Sequence, residues 1–244
     1  MQLEPVAAAG LVQEEGHRLI DLCEASPAAE VAACPGWRGT DLAVHTASVH
    51  RRVAHWCATR AERPERAPHD SPPEGSPPWG WCREAVELVA DALADIGTDD
   101  PVWSWTDRQT GGFYHRRMVH ETVLHHWDAH TMTGTPPPLD PAISADGIDE
   151  LMSVGMRFRA DGSAVPYPAG SISFLAVDTG HRWSLASVEG VLGIGRGDSV
   201  ITGTDATVTA DASAILLALW GRDGGPLDVR GDLELSRAWC AVAP

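Results

Sequence analysis

The stretch Thr133-Gly134-Thr135-Pro136-Pro137-Pro138 limits what this chain can fold into more than any other. Proline has no N–H to give to a helix or a sheet ladder, and it drives the residue before it out of the helical region. No regular element can run through such a run, so a domain boundary is expected here, with parts at 1–135 and 136–244. The two parts differ in period. Ahead of the break, apolar residues recur at helical spacing. Beyond Tyr167-Pro168-Ala169-Gly170 they alternate with period two. The expected fold class is therefore α+β, with a helical N-terminal part and a smaller C-terminal α/β domain.

In the first part, Val6 to Ala25 reads as an amphipathic helix with Leu11, Leu19, Ile20 and Leu22 on its apolar face. Cys34-Pro35-Gly36-Trp37 is a turn signal, after which Thr40 or Gly39 can cap a helix from about Asp41 to Glu62. Arg63 to Trp79 holds six prolines and reads as a long loop, either a functional excursion or a plain insertion. A third helix is expected from about Gly80 to Ile96, then a short extended segment at Val102-Trp103-Ser104-Trp105. Gly111-Gly112 leads into the fourth helix, which contains Arg116 to His130. Four helices with one long connection suit a four-helix bundle.

In the second part a helix is expected from about Ser144 to Ala160. Strands follow at Ser171 to Asp178, Arg182 to Ser187 and Ala206 to Ala210. Asp211 caps a helix to Trp220, and a strand near Leu227 to Arg230 precedes a last helix from Asp232 to Ala243. Gly193-Ile194-Gly195-Arg196-Gly197 reads as a hairpin turn rather than a nucleotide loop, since no helix follows it.

Composition narrows the function classes. A formal charge of −16 argues against nucleic acid or an anionic membrane as partner, because both demand a basic face. It suits a protein that handles small molecules. No apolar run approaches a membrane span and the start is already acidic, so the expected compartment is the cytoplasm. Cys23, Cys34, Cys57, Cys82 and Cys240 include no C-x-x-C pair and read as reduced, mostly packing thiols. All 18 basic residues are arginine, which rules out Schiff-base chemistry and the phosphate-loop lysine. Trp37, Trp103, Trp105, Trp127 and Trp220 read as core or pocket wall. Arg51, Arg52 and Arg60 read as a solvated helix face.

Nine of the 11 histidines fall between His45 and His130, five of them from His115 onward. On a helix, Glu121 and His125 lie about 40° apart, one turn above the other, with Arg117 and Asp128 on the same face. His120, His126 and His130 point elsewhere. A carboxylate and an imidazole at this spacing can hold one divalent cation. A third ligand can come from the second helix, where His45, His50 and His55 are spaced so that no two share a face. His45 lies in a low-charge setting that suits an inner face, and His45, Glu121 and His125 together make a His₂Glu set with an open position.

The same residues carry a resemblance. Cys34-Pro35-Gly36-Trp37 with Asp41-Leu42-x-x-His45, then Arg117-Met118-x-His120-Glu121-x-x-x-His125-x-x-Asp128, resembles the mycothiol-dependent maleylpyruvate isomerase family of DinB-like metalloenzymes. The likeness extends to a Trp220-Gly221-Arg222 stretch in the second part. It implies a DinB-like metal-binding bundle with His45, Glu121 and His125 as ligands of a divalent ion, zinc being the expected one. It also implies mycothiol as thiol cosubstrate and Arg222 as an active-site residue that steadies a carboxylate or the thiol cofactor. Arg117 is expected beside that cofactor, and Asp128 and His126 as orienting or proton-carrying groups. The expected chemistry is activation of the thiol as a metal-bound thiolate for attack on an electrophilic small molecule, with thiol transfer as the outcome. The alternatives are cis–trans isomerisation of maleylpyruvate and a non-catalytic binding protein on the same bundle. A monomer or homodimer is expected.

Overall fold

The computed structural model describes residues 4–157 and 167–242. It divides into two compact units, Met1–Pro137 and Pro138–Pro244, at the triple proline.

The first unit is four helices: α1 (Pro5–Ala25), α2 (Gly39–Thr59), α3 (Trp79–Asp95) and α4 (Gly111–His130). α1 starts on Pro5, whose missing N–H costs nothing in a first turn, and buries Ala8, Val12, Leu19, Ile20 and Cys23. Leu11 and Leu22, expected on that face, are only half-buried. Gly16 lets α1 approach α3: a Cβ there would lie 3.0 Å from the Val86 methyls. α2 begins at Gly39, and neither Gly39 nor Thr40 caps it. The Asp41 carboxylate accepts from the Arg38 backbone N–H at 2.9 Å, while the Thr40 hydroxyl donates to the Pro27 carbonyl at 3.1 Å. α2 stops at Arg60, whose φ of 52° is left-handed.

Two of the three arginines expected on a solvated face are structural. Arg51 is 6% exposed and donates to the Trp81 carbonyl at 3.0 Å and to Glu84 at 2.5 Å. Its guanidinium lies 4.7 Å from the centre of the Trp81 ring. The long stem of arginine can cross a core edge to reach such partners, a freedom that helical periodicity does not register. Arg60 pairs with Asp95 and Asp100 at 3.3 and 3.1 Å, tying the end of α2 to the end of α3. Arg52 is exposed, as expected. Arg51→Ala is expected to cost about 2 kcal/mol, chiefly from lost packing on Trp81, readable as a lowered urea midpoint.

The proline-rich loop has no regular structure but is firmly anchored. Trp56 Nε1 donates to the Glu65 carbonyl at 2.8 Å, Ser48 Oγ to the Asp70 carbonyl at 3.2 Å, and Trp81 Nε1 to the His69 carbonyl at 3.0 Å. The segment around Trp103 is not a strand. Its one ladder contact is an isolated Pro101–Thr110 bridge, and the Gln109 side chain closes it by accepting from Ser104 N–H and donating to Ser104 C=O. Trp105 is 38% exposed, so it is not a core residue.

The second unit opens with α5 (Pro141–Glu150), which starts earlier than Ser144 because the Asp140 carboxylate accepts from Ala142 and Ile143 N–H groups. It continues as a π-helical stretch to Gly155 and turns at Met156; the rest of its expected continuation, residues 158–160, lies outside the described residues. Five strands follow: β1 (Gly170–Ala176), β2 (Arg182–Val188), β3 (Val191–Arg196), β4 (Ala206–Ala210) and β5 (Asp228–Gly231). They form one sheet in the order β3-β2-β1-β4-β5, parallel only between β1 and β4. The expected turn at Gly193–Gly197 is instead mostly β3. The hairpin turn is Glu189-Gly190, both at positive φ, and Gly195 is needed for close approach, since a Cβ there would sit 2.5 Å from Ser184 Oγ. α6 (Ala212–Leu219), α7 (Leu233–Cys240) and α5 supply apolar residues to the same core as β1, β2 and β4. α7 stops at Cys240 with Ala241 as its C-cap, short of the expected end at Ala243. Among the described residues no helix is long and apolar enough to cross a membrane.

Candidate metal centre

α2 and α4 bring one histidine and one Glu/His pair together. His45 Nε2 lies 3.6 Å from Glu121 Oε1, and His125 Nε2 lies 3.4 Å from the same oxygen. All three donor atoms fall within 4.8 Å of one another. A tetrahedral zinc with ligands at about 2.0–2.1 Å sets its donors about 3.3 Å apart, so two edges are close to the required length. The donor set fits a divalent cation.

Around the trio, each ligand is held from behind. The second carboxylate oxygen of Glu121 accepts from the Arg117 guanidinium one turn earlier, leaving Oε1 to face the histidines. His125 Nδ1 meets Asp128 Oδ2 at 2.9 Å, and Asp128 is fully buried. A proton on Nδ1 donated to that carboxylate leaves Nε2 as the ligating atom, the usual arrangement behind a metal-bound histidine. The turn from Cys34 to Trp37, which Gly36 makes possible at φ +85°, adds two more neighbours. Cys34 Sγ donates to Asp128 Oδ2 at 3.4 Å, and the Trp37 ring lies 4.7 Å from the His45 ring. Neither is among the site residues expected from the sequence, although both belong to the Cys-Pro-Gly-Trp signal.

Electrostatics match this arrangement. Burial alone would push the Glu121 carboxyl up, but Arg117 and the hydrogen bonds from His125 and His45 hold it well below the usual carboxylate range. Burial would push the His125 imidazole down, yet Asp128, Cys34 and Glu121 hold it well above its ordinary value. The Nε2 proton so retained is the one a cation would displace.

Cys34, His125 and Asp128 form a second group of suitable spacing. It needs the same imidazole, and it would strip Asp128 from the Nδ1 proton that orients His125. The first trio leaves the His125–Asp128 and Arg117–Glu121 hydrogen bonds in place, so it is the better site. Of the remaining histidines, His50 is fully buried against Thr122 Oγ1 at 2.9 Å, and His55 faces Glu65 at 3.6 Å. His126 turns to α1, where Nδ1 meets Glu15 Oε2 at 2.5 Å, and its ring lies 4.9 Å from that of His130. Arg222 belongs to the second unit, where its Nη1 donates to the Trp220 carbonyl at 2.7 Å. Cys23, Cys57 and Cys82 are packing residues, each thiol pushed up to about 12 by burial.

The family model of the mycothiol maleylpyruvate isomerase N-terminal domain matches residues 12–130. That span includes His45, Arg117, Glu121, His125 and Asp128, and stops short of the second unit. No curated protein matches the chain.

Proposed function

Since the helical unit belongs to the mycothiol maleylpyruvate isomerase N-terminal domain family, we propose that this protein is a DinB-like metalloenzyme that activates mycothiol for attack on an electrophilic small molecule. The observation that carries this reading is the spacing of His45, Glu121 and His125 with Asp128 and Arg117 behind them. A divalent cation held by the three, zinc being the expected one, would lower the pKa of a thiol so that it reacts near neutral pH.

The protein's own groups do the rest. Asp128 fixes the His125 tautomer, Arg117 fixes the Glu121 rotamer, and the Trp37 ring walls the histidine side. Arg222 is proposed to hold a carboxylate of the substrate, or to steady the thiol cofactor, as a planar fork can. His126, paired with Glu15, is proposed as a proton reservoir at the rim rather than a group touching substrate. The thiol sulfur bonds to the electrophilic carbon, and the proton it gave up ends on the adduct. In thiol transfer the sulfur stays.

The family's own description favours a second reading, maleylpyruvate cis–trans isomerisation. There the sulfur adds to the conjugated bond, the former double bond rotates, and the sulfur leaves unchanged. Cytoplasmic work is proposed for either reading. Purified protein should carry about one zinc per chain; metal-free protein that takes up no zinc would leave only a binding role on the same bundle. Incubation with mycothiol and maleylpyruvate then decides between the two enzymes. Fumarylpyruvate formed without thiol consumption supports the isomerase, and a stable thioether with another electrophile supports the transferase.

A further inference from the structure

Along α2 from His45 onward, the half-buried positions form one stripe, His45, Ser48, Val49, His55 and Trp56, with exposed Arg52 inside it. Arg52 lies seven residues from His45, within about 20° of it and about 10 Å further along the helix. Trp56 is eleven residues from His45, again within about 20° and about 16 Å along. The stripe has a wall on each flank. On one side Ser48 and His55 face the strapped loop, through the Asp70 carbonyl at 3.2 Å and the Glu65 carboxylate at 3.6 Å. On the other side stands α4, where Tyr114, Arg117 and Glu121 succeed one another at one-turn spacing. The far end is closed by aromatic rings: Trp56 lies 5.0 Å from Trp103 and 6.2 Å from Tyr114.

The trough thus has the candidate metal ligands at one end, an aromatic wall at the other, and Arg52 between. Arg52 makes no hydrogen bond or ion pair with any described residue. Its neighbours are all committed elsewhere. Arg51 is bound to Glu84, Arg117 to Glu121, and the nearby Asp70 is gripped by Arg66 through two hydrogen bonds of 3.0 and 3.2 Å. Its guanidinium feels the charge of Asp70 but spends no N–H donor on it, so the fork is open to a carboxylate carried on an apolar body.

We propose that this trough binds an elongated carboxylate ligand, its reacting end at His45, Glu121 and His125, its apolar body against Val49 and its carboxylate on Arg52, short of the aromatic end wall. The inference rests on the metal reading above and adds the class of ligand and the residue that selects it.

Zinc-loaded protein titrated calorimetrically with ω-mercaptocarboxylates of increasing chain length, and with the equally long ω-mercaptoalcohols, tests it. The thiol is expected to anchor each probe at the zinc. Affinity for the carboxylates should peak at a length that spans about 10 Å, where they bind about tenfold more tightly than the alcohols. Arg52→Gln should erase that preference while keeping alcohol affinity, zinc content and melting temperature, since glutamine is a good helix former at an exposed position. Arg52→Lys should retain part of it. An equal carboxylate preference in wild type and Arg52→Gln overturns the role of Arg52 alone. Failure of the wild type to take up zinc overturns the metal reading, and this inference with it.

Discussion

His45→Ala protein is expected to bind zinc more than about a hundredfold more weakly than wild type, and Glu121→Gln and His125→Ala likewise. The bound is set by comparison: removing a group that only orients a metal-bound histidine commonly costs 10–100-fold in affinity, so removing a ligand itself must cost more. Asp128→Asn should therefore fall within that smaller range. Asparagine can still accept from His125 Nδ1 at the 2.9 Å position, but it has lost the charge that strengthens the bond. Competition with a chromophoric chelator reads all four variants on one scale. A second contrast separates binding from chemistry. Arg222 lies in the other unit, so Arg222→Ala should keep its zinc and lose turnover with mycothiol. If His45→Ala holds as much zinc as wild type, the trio is not the site. If Asp128→Asn loses as much as His45→Ala, Asp128 is a ligand itself and the Cys34–His125–Asp128 group becomes the better assignment.

What could be read ahead of the structure depended on whether a short-range rule governed it. Helical period alone aligned Arg117, Glu121, His125 and Asp128, and the structure joins them in one hydrogen-bonded row. The two compact units divide after Pro137, inside a run of prolines that no helix or strand can cross. Period two found β1, β2 and β4 but missed β3, because Gly193 and Gly195 carry no side chain to show an alternation. There the glycines answer to close contact with Ser184 on the neighbouring strand. Arg51 departs from expectation for a related reason. Its partners Trp81 and Glu84 are on α3, some thirty residues away, and charge by itself reads as solvent-facing. Cys34 was invisible as a site residue because its contact is with Asp128, across 94 positions of sequence. Long-range pairing of this kind has no local signature, and it shaped the surroundings of the ligands more than the ligands themselves.

The fully buried His50 makes a further prediction about stability. It is the histidine of α2 that faces the core, with Nε2 on Thr122 Oγ1 at 2.9 Å and no partner for Nδ1. Burial pushes its imidazole down to about 4, with the neighbouring imidazoles of His125 and His45 adding to the effect and Glu121 opposing it. In the unfolded chain the same group titrates near 6.5. Above that pH both states are neutral and His50 adds no pH dependence. Between about 6.5 and 4 the unfolded chain binds a proton that the native protein refuses, so stability falls as the medium is acidified, by up to about 3 kcal/mol. Below 4 both states are charged and the loss levels off. Metal-free wild type should thus show its urea midpoint dropping steeply from pH 6.5 to 4. His50→Gln, which cannot titrate, should begin lower at pH 7 for want of the fitted ring but lose much less over the same interval. Parallel pH profiles for the two proteins would mean that other groups, not this buried imidazole, set the acid limit of the fold.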